Sequence, residues 1–216
     1  MKKYDLHTHT KYSLCSNLEP SLLLKLAVKK GLDGIAVTDH NSIKGALTAR
    51  KLNKNKDFEV IIGSEIKTDK GEVLALYIDE EIRPGDFEDV IDSIKKQGGL
   101  AAIAHPFTIG LLRKRAKLDF DKIKNKIDAI ETFNSRMIFD FLNKKAQTVA
   151  EKFNIAQTAG SDSHFRWEIA RAFTIFDGDL RKALKNRKTE VQGSNSLSLL
   201  YRSFSFFEKY LIRKLF

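Results

Sequence analysis

A chain of 216 residues with 42% hydrophobic and 31% charged residues has the balance of a globular domain, which excludes a disordered or fibrous chain and suits one catalytic core. No apolar run reaches the roughly 20 residues of a membrane-spanning helix, and the start Met1-Lys2-Lys3 leads into an alternating pattern rather than a secretory leader. The single cysteine, Cys15, excludes an internal disulfide, and together these features predict a cytoplasmic protein. Formal net charge is +10, and residues 181 to 216 hold nine Lys/Arg against Glu190 and Glu208, a surplus of seven. Such a surface attracts phosphorylated substrates, nucleic acid or anionic lipid, although a solvated basic face explains the tail equally well.

In chain order, strands are expected at Lys3 to His7, Gly34 to Thr38, Glu59 to Gly63, Val73 to Ile78, Leu100 to Ala104, Ala129 to Phe133, Ile155 to Thr158 and Ala172 to Phe176. Helical patterns fill the gaps, and this rhythm predicts a βα-type fold on a parallel sheet. Pro20 opens a helix with Leu22, Leu23, Leu26 and Ala27 on its apolar face, and Gly31 ends it. Asn41 or Ser42 caps the next helix, Phe87 through Lys96 forms another before Gly98-Gly99, and Ser135 through Phe153 reads as the longest internal one. In the tail, Leu200, Phe204, Phe207, Leu211 and Leu215 recur at spacings of four, three, four and four, with Arg202, Lys209, Arg213 and Lys214 around them. That pattern predicts an amphipathic helix that packs across the rest of the fold or serves as a dimer or in-plane membrane contact. The alternation suits a barrel or an open doubly wound sheet, and the barrel is favoured because polar residues gather where strands end.

Five histidines is an ordinary number for this length, so their placement carries the argument. Each lies in a polar motif at the end of a predicted strand: His7-Thr8-His9, Thr38-Asp39-His40, Ala104-His105-Pro106 and Asp162-Ser163-His164. Side chains alternate along a strand, so His7 and His9 point to one side and offer two imidazoles to one ion. Asp162 and His164 do the same with a carboxylate and an imidazole. Any one of these histidines alone is better explained as a hydrogen-bonded structural residue. The whole set favours a divalent-metal cluster, whose imidazole and carboxylate donors suit Zn²⁺, Mn²⁺ or Fe²⁺ better than Ca²⁺.

The segments Asp5-Leu-His-Thr-His-Thr, Gly34-Ile-Ala-Val-Thr-Asp-His, Gly63-Ser-Glu, Ala104-His-Pro-Phe, Ile130-Glu-Thr-Phe-Asn and Gly160-Ser-Asp-Ser-His resemble, in order, the motifs of the PHP family, named for polymerase and histidinol phosphatase. The resemblance covers roughly residues 3 to 192. It implies an α/β fold, a distorted (β/α)7 TIM-like barrel around two or three divalent metal ions; together with the tail periodicity this sets the barrel domain at 1–192 and the C-terminal amphipathic helix at 193–216. It further implies metal ligation by His7, His9, His40, Glu65, His105, Asp162 and His164, with Glu65 bridging two ions. Asn134 matches a position that is a ligand or a close polar neighbour, and Asp39 is expected to orient His40 or a bound water. One departure concerns the first motif, which many members continue with an aspartate ligand after Tyr-Ser. Here Tyr12-Ser13 is followed by Leu14-Cys15-Ser16, and Leu14 coordinates nothing. Cys15 stands where some trinuclear members carry a histidine; it is either a thiolate ligand for a soft ion or a small buried hydrophobe.

The implied activity is a metal-dependent hydrolysis of a phosphomonoester or of a nucleotide or oligonucleotide phosphodiester, 5′ to 3′ exonuclease action included, by metal-activated water. The expected partner is accordingly a phosphorylated small molecule, nucleotide or short nucleic acid. Arg136, two residues beyond Asn134, is the candidate for gripping phosphate, and Arg113-Lys114-Arg115 is a weaker one. Hydrolysis of a non-phosphate ester or amide is the alternative enzymatic class. A non-enzymatic metal-bound accessory domain is the third, and the nearly intact ligand set argues against it.

Overall fold

The computed structural model describes residues 1–108 and 118–196. Along them run β1 (Lys2–Thr8), α1 (Pro20–Lys29), β2 (Gly34–Val37), α2 (Lys44–Leu52), β3 (Glu59–Thr68), β4 (Gly71–Leu76), α3 (Phe87–Lys96), β5 (Leu100–Ile103), α4 (Phe120–Ile123), β6 (Ala129–Asn134), α5 (Asp140–Lys152), β7 (Ala156–Gly160), β8 (Ala172–Phe176), α6 (Leu180–Lys185) and β9 (Thr189–Gly193). Pro20 occupies the first turn of α1, where a missing N–H costs nothing, and the Asp86 carboxylate caps α3 by accepting from the N–H groups of Glu88 and Asp89. The helix expected from Ser135 starts only at Asp140. Ser135 Oγ donates to Ser161 O and Arg136 N to Asn134 Oδ1, so this stretch stays tied to the barrel mouth instead of winding up.

One mixed sheet runs in the order β7-β6-β5-β4-β3-β2-β1-β8-β9. β1, β2 and β3 are parallel, as are β5, β6 and β7, but β4 is antiparallel to both neighbours and β8 is antiparallel to β1 and β9. This corrects the expectation of a parallel sheet. The connection Asp69-Lys70 between β3 and β4 is far too short for the crossover that parallel strands need, and it makes a hairpin. β9 has no counterpart among the predicted strands, because Thr-Glu-Val-Gln-Gly carries no apolar alternation and lies largely exposed.

The sheet curls until β1 meets the chain just past β7. Thr8 and Ser163 form a parallel bridge, His9 N donates to Ser163 O at 2.9 Å, and Asp162 N donates to His7 O at 2.8 Å. The result is a nearly closed, distorted barrel. Its closure requires glycine at 160, where a Cβ would lie 2.3 Å from the His7 Cβ and 2.8 Å from its N.

Two apolar clusters hold this arrangement. One packs α1, α2, α3 and α5 on the strands, through residues such as Leu23, Ala46, Ile94 and Ala146 against Ile35, Ile62, Ile103 and Ile130. The other fills the barrel with Tyr4, Leu6, Ile61, Leu74 and Leu76, alanines on β2, β5, β6 and β7, and Leu180, Ala183 and Leu184 of α6. Tyr4 and Leu6 point into this inner cluster, so strict alternation would turn His7 away from it. The β1–β2 register slips by one residue between Asp5, opposite Ile35, and Thr8, opposite Val37. This bulge brings His7 round to the inner side above Leu6.

Of the tail helix predicted at 193–216, Gly193 instead ends β9 and 194–196 are not helical, while 197–216 lie outside the described residues, as do Arg113, Lys114 and Arg115 within 109–117. Among the described residues, no helix is long and apolar enough to cross a membrane.

Candidate metal centre

Because β1, β2, β3, β5, β6 and β7 share one direction, the residues at their C-terminal ends meet at one mouth of the barrel. All five histidines arrive there. His7 Nε2 and His9 Nε2 face each other at 3.1 Å, and Glu65 Oε2 lies 3.4 Å from each. The same carboxylate reaches His40 Nδ1 at 3.0 Å and, through Oε1, His105 Nε2 at 2.9 Å. Asp162 Oδ1 stands 3.3 Å from His9 Nε2 and 3.8 Å from His7 Nε2. Donor atoms lie within 4.8 Å of one another in four sets: His7, His9 and Glu65; His7, His105 and Asp162; His9, Cys15, His40 and His164; and His40, Glu65 and Glu72. His105 and Asp162 are held at φ of 23° and 52°, conformations that a non-glycine residue adopts only where its surroundings enforce them.

The far nitrogens fix the tautomers. His7 Nδ1 donates to Glu131 Oε1 at 2.9 Å, His9 Nδ1 to Ser13 Oγ at 3.3 Å, and His164 Nδ1 to the Asp162 carbonyl at 2.8 Å. Each turns Nε2 toward the centre. His7 Nε2 and His9 Nε2, buried 3.1 Å apart, share a proton in the ion-free protein, and a cation would take that proton's place. Glu65 Oε2 and Asp162 Oδ1 are buried with no hydrogen-bond partner. This donor set fits a cluster of divalent ions.

Charge is organised to the same end. Burial disfavours charge on His7, yet Glu131, Asp162 and Glu65 outweigh it and hold its pKa well above the ordinary histidine value. His40, also desolvated, is pushed up to about 11 by Glu65 and by its hydrogen bond with Cys15. Burial lowers His9 and His164, with nearby His40 and Arg136 respectively adding to the effect. Burial works against ionising Glu65 and Asp162, but the surrounding histidines keep both well below the usual carboxylate range.

Two expected roles change on contact with the geometry, those of Asp39 and Arg136, and Asn134 takes the place of a close polar neighbour. Asp39 Oδ1 accepts from Thr10 N and Ser13 Oγ, both at 2.7 Å, and Oδ2 from Thr10 Oγ1 at 2.6 Å. It therefore steadies His9 through Ser13 rather than orienting the His40 ring. Gly45 makes room for it, since a Cβ there would sit 1.9 Å from Asp39 Oδ2. Asn134 Nδ2 donates to Glu131 Oε2 at 3.1 Å and Asp162 Oδ2 at 3.4 Å, while its Oδ1 accepts from Arg136 N, so it stands beside the centre as a donor instead of offering oxygen to it. Arg136 Nη1 pairs with the buried Glu168 at 2.8 and 3.1 Å, not with open space for phosphate. Glu168 also accepts from His164 N at 2.7 Å and Phe165 N at 3.0 Å. The pair thus anchors the loop that carries His164.

Sequence reasoning passed over Glu131, Glu168, Ser13 and Glu72. A signal existed for Glu131 alone: it lies two residues from inward-facing Ala129, inside the motif that contains Asn134.

Comparison with known proteins agrees with this architecture. The PHP domain model matches residues 5–117, and a second model, described as PHP-associated, matches 141–189; the two stretches contribute strands to the same sheet. Two uncharacterized proteins of Methanocaldococcus jannaschii are similar in sequence. MJ1587 is 40% identical over 62% of this chain and 82% of its own length, and MJ0417 is 36% identical over 81% of this chain and 70% of its own length. Among solved structures, a two-domain protein of Bacteroides vulgatus containing a predicted PHP-like metal-dependent phosphoesterase superposes with a TM-score of 0.74 at 22% identity, over 96% of this chain and 69% of that one. Sequence motifs, barrel and matched models converge, and the chain belongs to the PHP family.

Proposed function

We propose that this chain is a metal-dependent phosphoesterase, hydrolysing a phosphomonoester or a nucleotide or oligonucleotide phosphodiester. The observation that carries the reading is the opposed pair His7 Nε2 and His9 Nε2 at 3.1 Å, ringed by the unpartnered buried oxygens of Glu65 and Asp162. His7, His9, His40, Glu65, His105, Asp162 and His164 would hold the ions. When bound, such ions lower the pKa of water toward neutrality and neutralise the oxygens of a phosphoryl group. The chain's part is to orient these rings, with Nε2 of His7, His9 and His164 turned toward the centre, through Glu131, Ser13 and the Asp162 carbonyl. A 5′ to 3′ exonuclease is the more specific form of this proposal.

The test has two arms. Elemental analysis of the purified protein should find at least two equivalents of transition metal, and a single weakly held ion after reconstitution would end the cluster reading. His9→Ala and Asp162→Ala should abolish turnover of phosphomonoesters, dinucleotides or short oligonucleotides without loss of the fold. Near-normal turnover in either variant would contradict the ligand roles.

One observation favours keeping a second reading. Because Arg136 is committed to Glu168, the phosphate grip expected there is missing, and the same centre can attack a carboxylic ester or amide. Aryl acetates and aryl phosphates offered side by side separate the two.

A further inference from the structure

We infer that Cys15 turns one end of the centre into a thiolate position, in which Cys15, His40 and His164, next to His9, take a thiophilic ion, Zn²⁺ in preference to Mn²⁺ or Mg²⁺. This rests on the metal-cluster reading and adds which ion its Cys15 end selects.

The donor atoms of these four residues lie within 4.8 Å of one another. A thiolate with two imidazoles suits zinc, whereas Mn²⁺ and Mg²⁺ favour oxygen-rich, octahedral surroundings. The loop is built to aim the sulfur. Leu14 is fully exposed, while Cys15 next to it is partly buried and hydrogen-bonds the His40 ring. Flanking serines fix both sides of it. Ser13 Oγ donates to Asp39 and accepts from His40 N at 2.9 Å, and Ser16 Oγ donates to the His164 carbonyl at 2.9 Å. This sulfur lies within 4.8 Å of imidazole nitrogens of His9, His40 and His164 and belongs to neither apolar cluster.

A buried carboxylate oxygen beside His9 and His164 also calls for positive charge next to this end of the centre. Asp162 is 3% exposed, and its Oδ1 has no hydrogen-bond partner, although it lies 3.3 Å from His9 Nε2 and 3.5 Å from His164 Nδ1. Such an oxygen, left unpaired, is satisfied by a positive ion. The opposite end of the centre has only imidazole and carboxylate donors, from His7, His105 and Glu65. The centre is therefore chemically asymmetric, with a soft end at Cys15 and a harder one around Glu65.

Cobalt substitution tests this on the full chain. The metal-stripped protein is titrated with Co²⁺ and its absorption followed: a thiolate-to-cobalt charge-transfer band in the near ultraviolet is expected, lost in Cys15→Ser along with one equivalent of bound metal. Zn²⁺ retention against a chelator should weaken in Cys15→Ser by at least about tenfold, since even changes beyond the ligands cost about 10–100-fold. Alkylation of Cys15 should be slowed by Zn²⁺ and not by Mg²⁺, which needs no variant at all. Cobalt bound by the wild-type protein without a thiolate band, with Cys15 alkylated equally fast in Zn²⁺, overturns the inference and leaves the cluster standing. No cobalt bound at all overturns both.

Discussion

Glu131 Oε1 lies 2.9 Å from His7 Nδ1, and its other oxygen accepts from the His105 N–H at 2.8 Å and from Asn134 Nδ2 at 3.1 Å. One buried carboxylate on β6 thus sets how two histidines from different strands enter the centre. Glu131→Gln keeps the volume but removes the charge and replaces one of the two acceptor oxygens with an N–H donor, so His7 Nδ1 and His105 N can no longer both be accepted, and metal affinity should fall about 10–100-fold with the fold retained. Chelator competition measures it; an unchanged affinity would make Glu131 a packing residue only.

Loading the centre should release protons, and affinity should rise with pH. In the ion-free protein His7 and His40 are held above their ordinary value of 6.5, His40 at about 11. Their contribution to stability is therefore complete below about pH 6.5 and is lost as pH rises through the folded values. Glu65 and Asp162 are held below theirs, so their contribution is present above the unfolded carboxylate pKa and is lost as pH falls through the folded values. Metal binding reverses the sign for the histidines, which must then be neutral. Urea denaturation with chelator should show stability lost on both sides, above neutrality through His7 and His40 and in acid through Glu65, Asp162, His9 and His164, whereas Zn²⁺ should remove the alkaline loss and deepen the acid one. Parallel curves would mean that the ions do not bind at these histidines.

Gly160→Ala should destabilise the chain by at least about 1–3 kcal/mol, because the new methyl collides with backbone and Cβ atoms of His7 that cannot swing aside. Gly85→Ala, whose Cβ would meet nothing within 4 Å, should stay within about 0.5 kcal/mol. Thermal and urea melts of the two side by side decide whether closure between β1 and β7 is as tight as described.

Arg136→Met should cost about 3–5 kcal/mol, since it strands the Glu168 carboxylate in the interior. Adding Glu168→Gln should restore part of that loss. A stable Arg136→Met enzyme whose only defect is a raised KM for phosphate esters would return the arginine to a substrate-gripping role.

The sequence by itself determined which residues would be chemical and roughly where most strands would lie. The short motifs around His7, His40, His105 and His164 stand at strand ends, and Pro20, Gly31 and Gly98-Gly99 punctuate helices through local backbone preferences that need no tertiary partner. Period-two alternation, by contrast, does not hold at Asp162 and His164, which lie beyond β7 with Asp162 at φ 52°. The tertiary structure alone decided what each side chain does. Strand order and direction set that outcome: the β3–β4 hairpin breaks the parallel pattern, the one-residue slip in β1 turns His7 inward, and closure against Gly160 brings Glu131 beneath it. Asp39 and Arg136 read as functional from their neighbours in the chain, but Thr10, Ser13 and Glu168, which occupy them, are 26 to 32 residues away. Periodicity is local, whereas hydrogen bonding between strand ends depends on contacts that exist only once the barrel has closed.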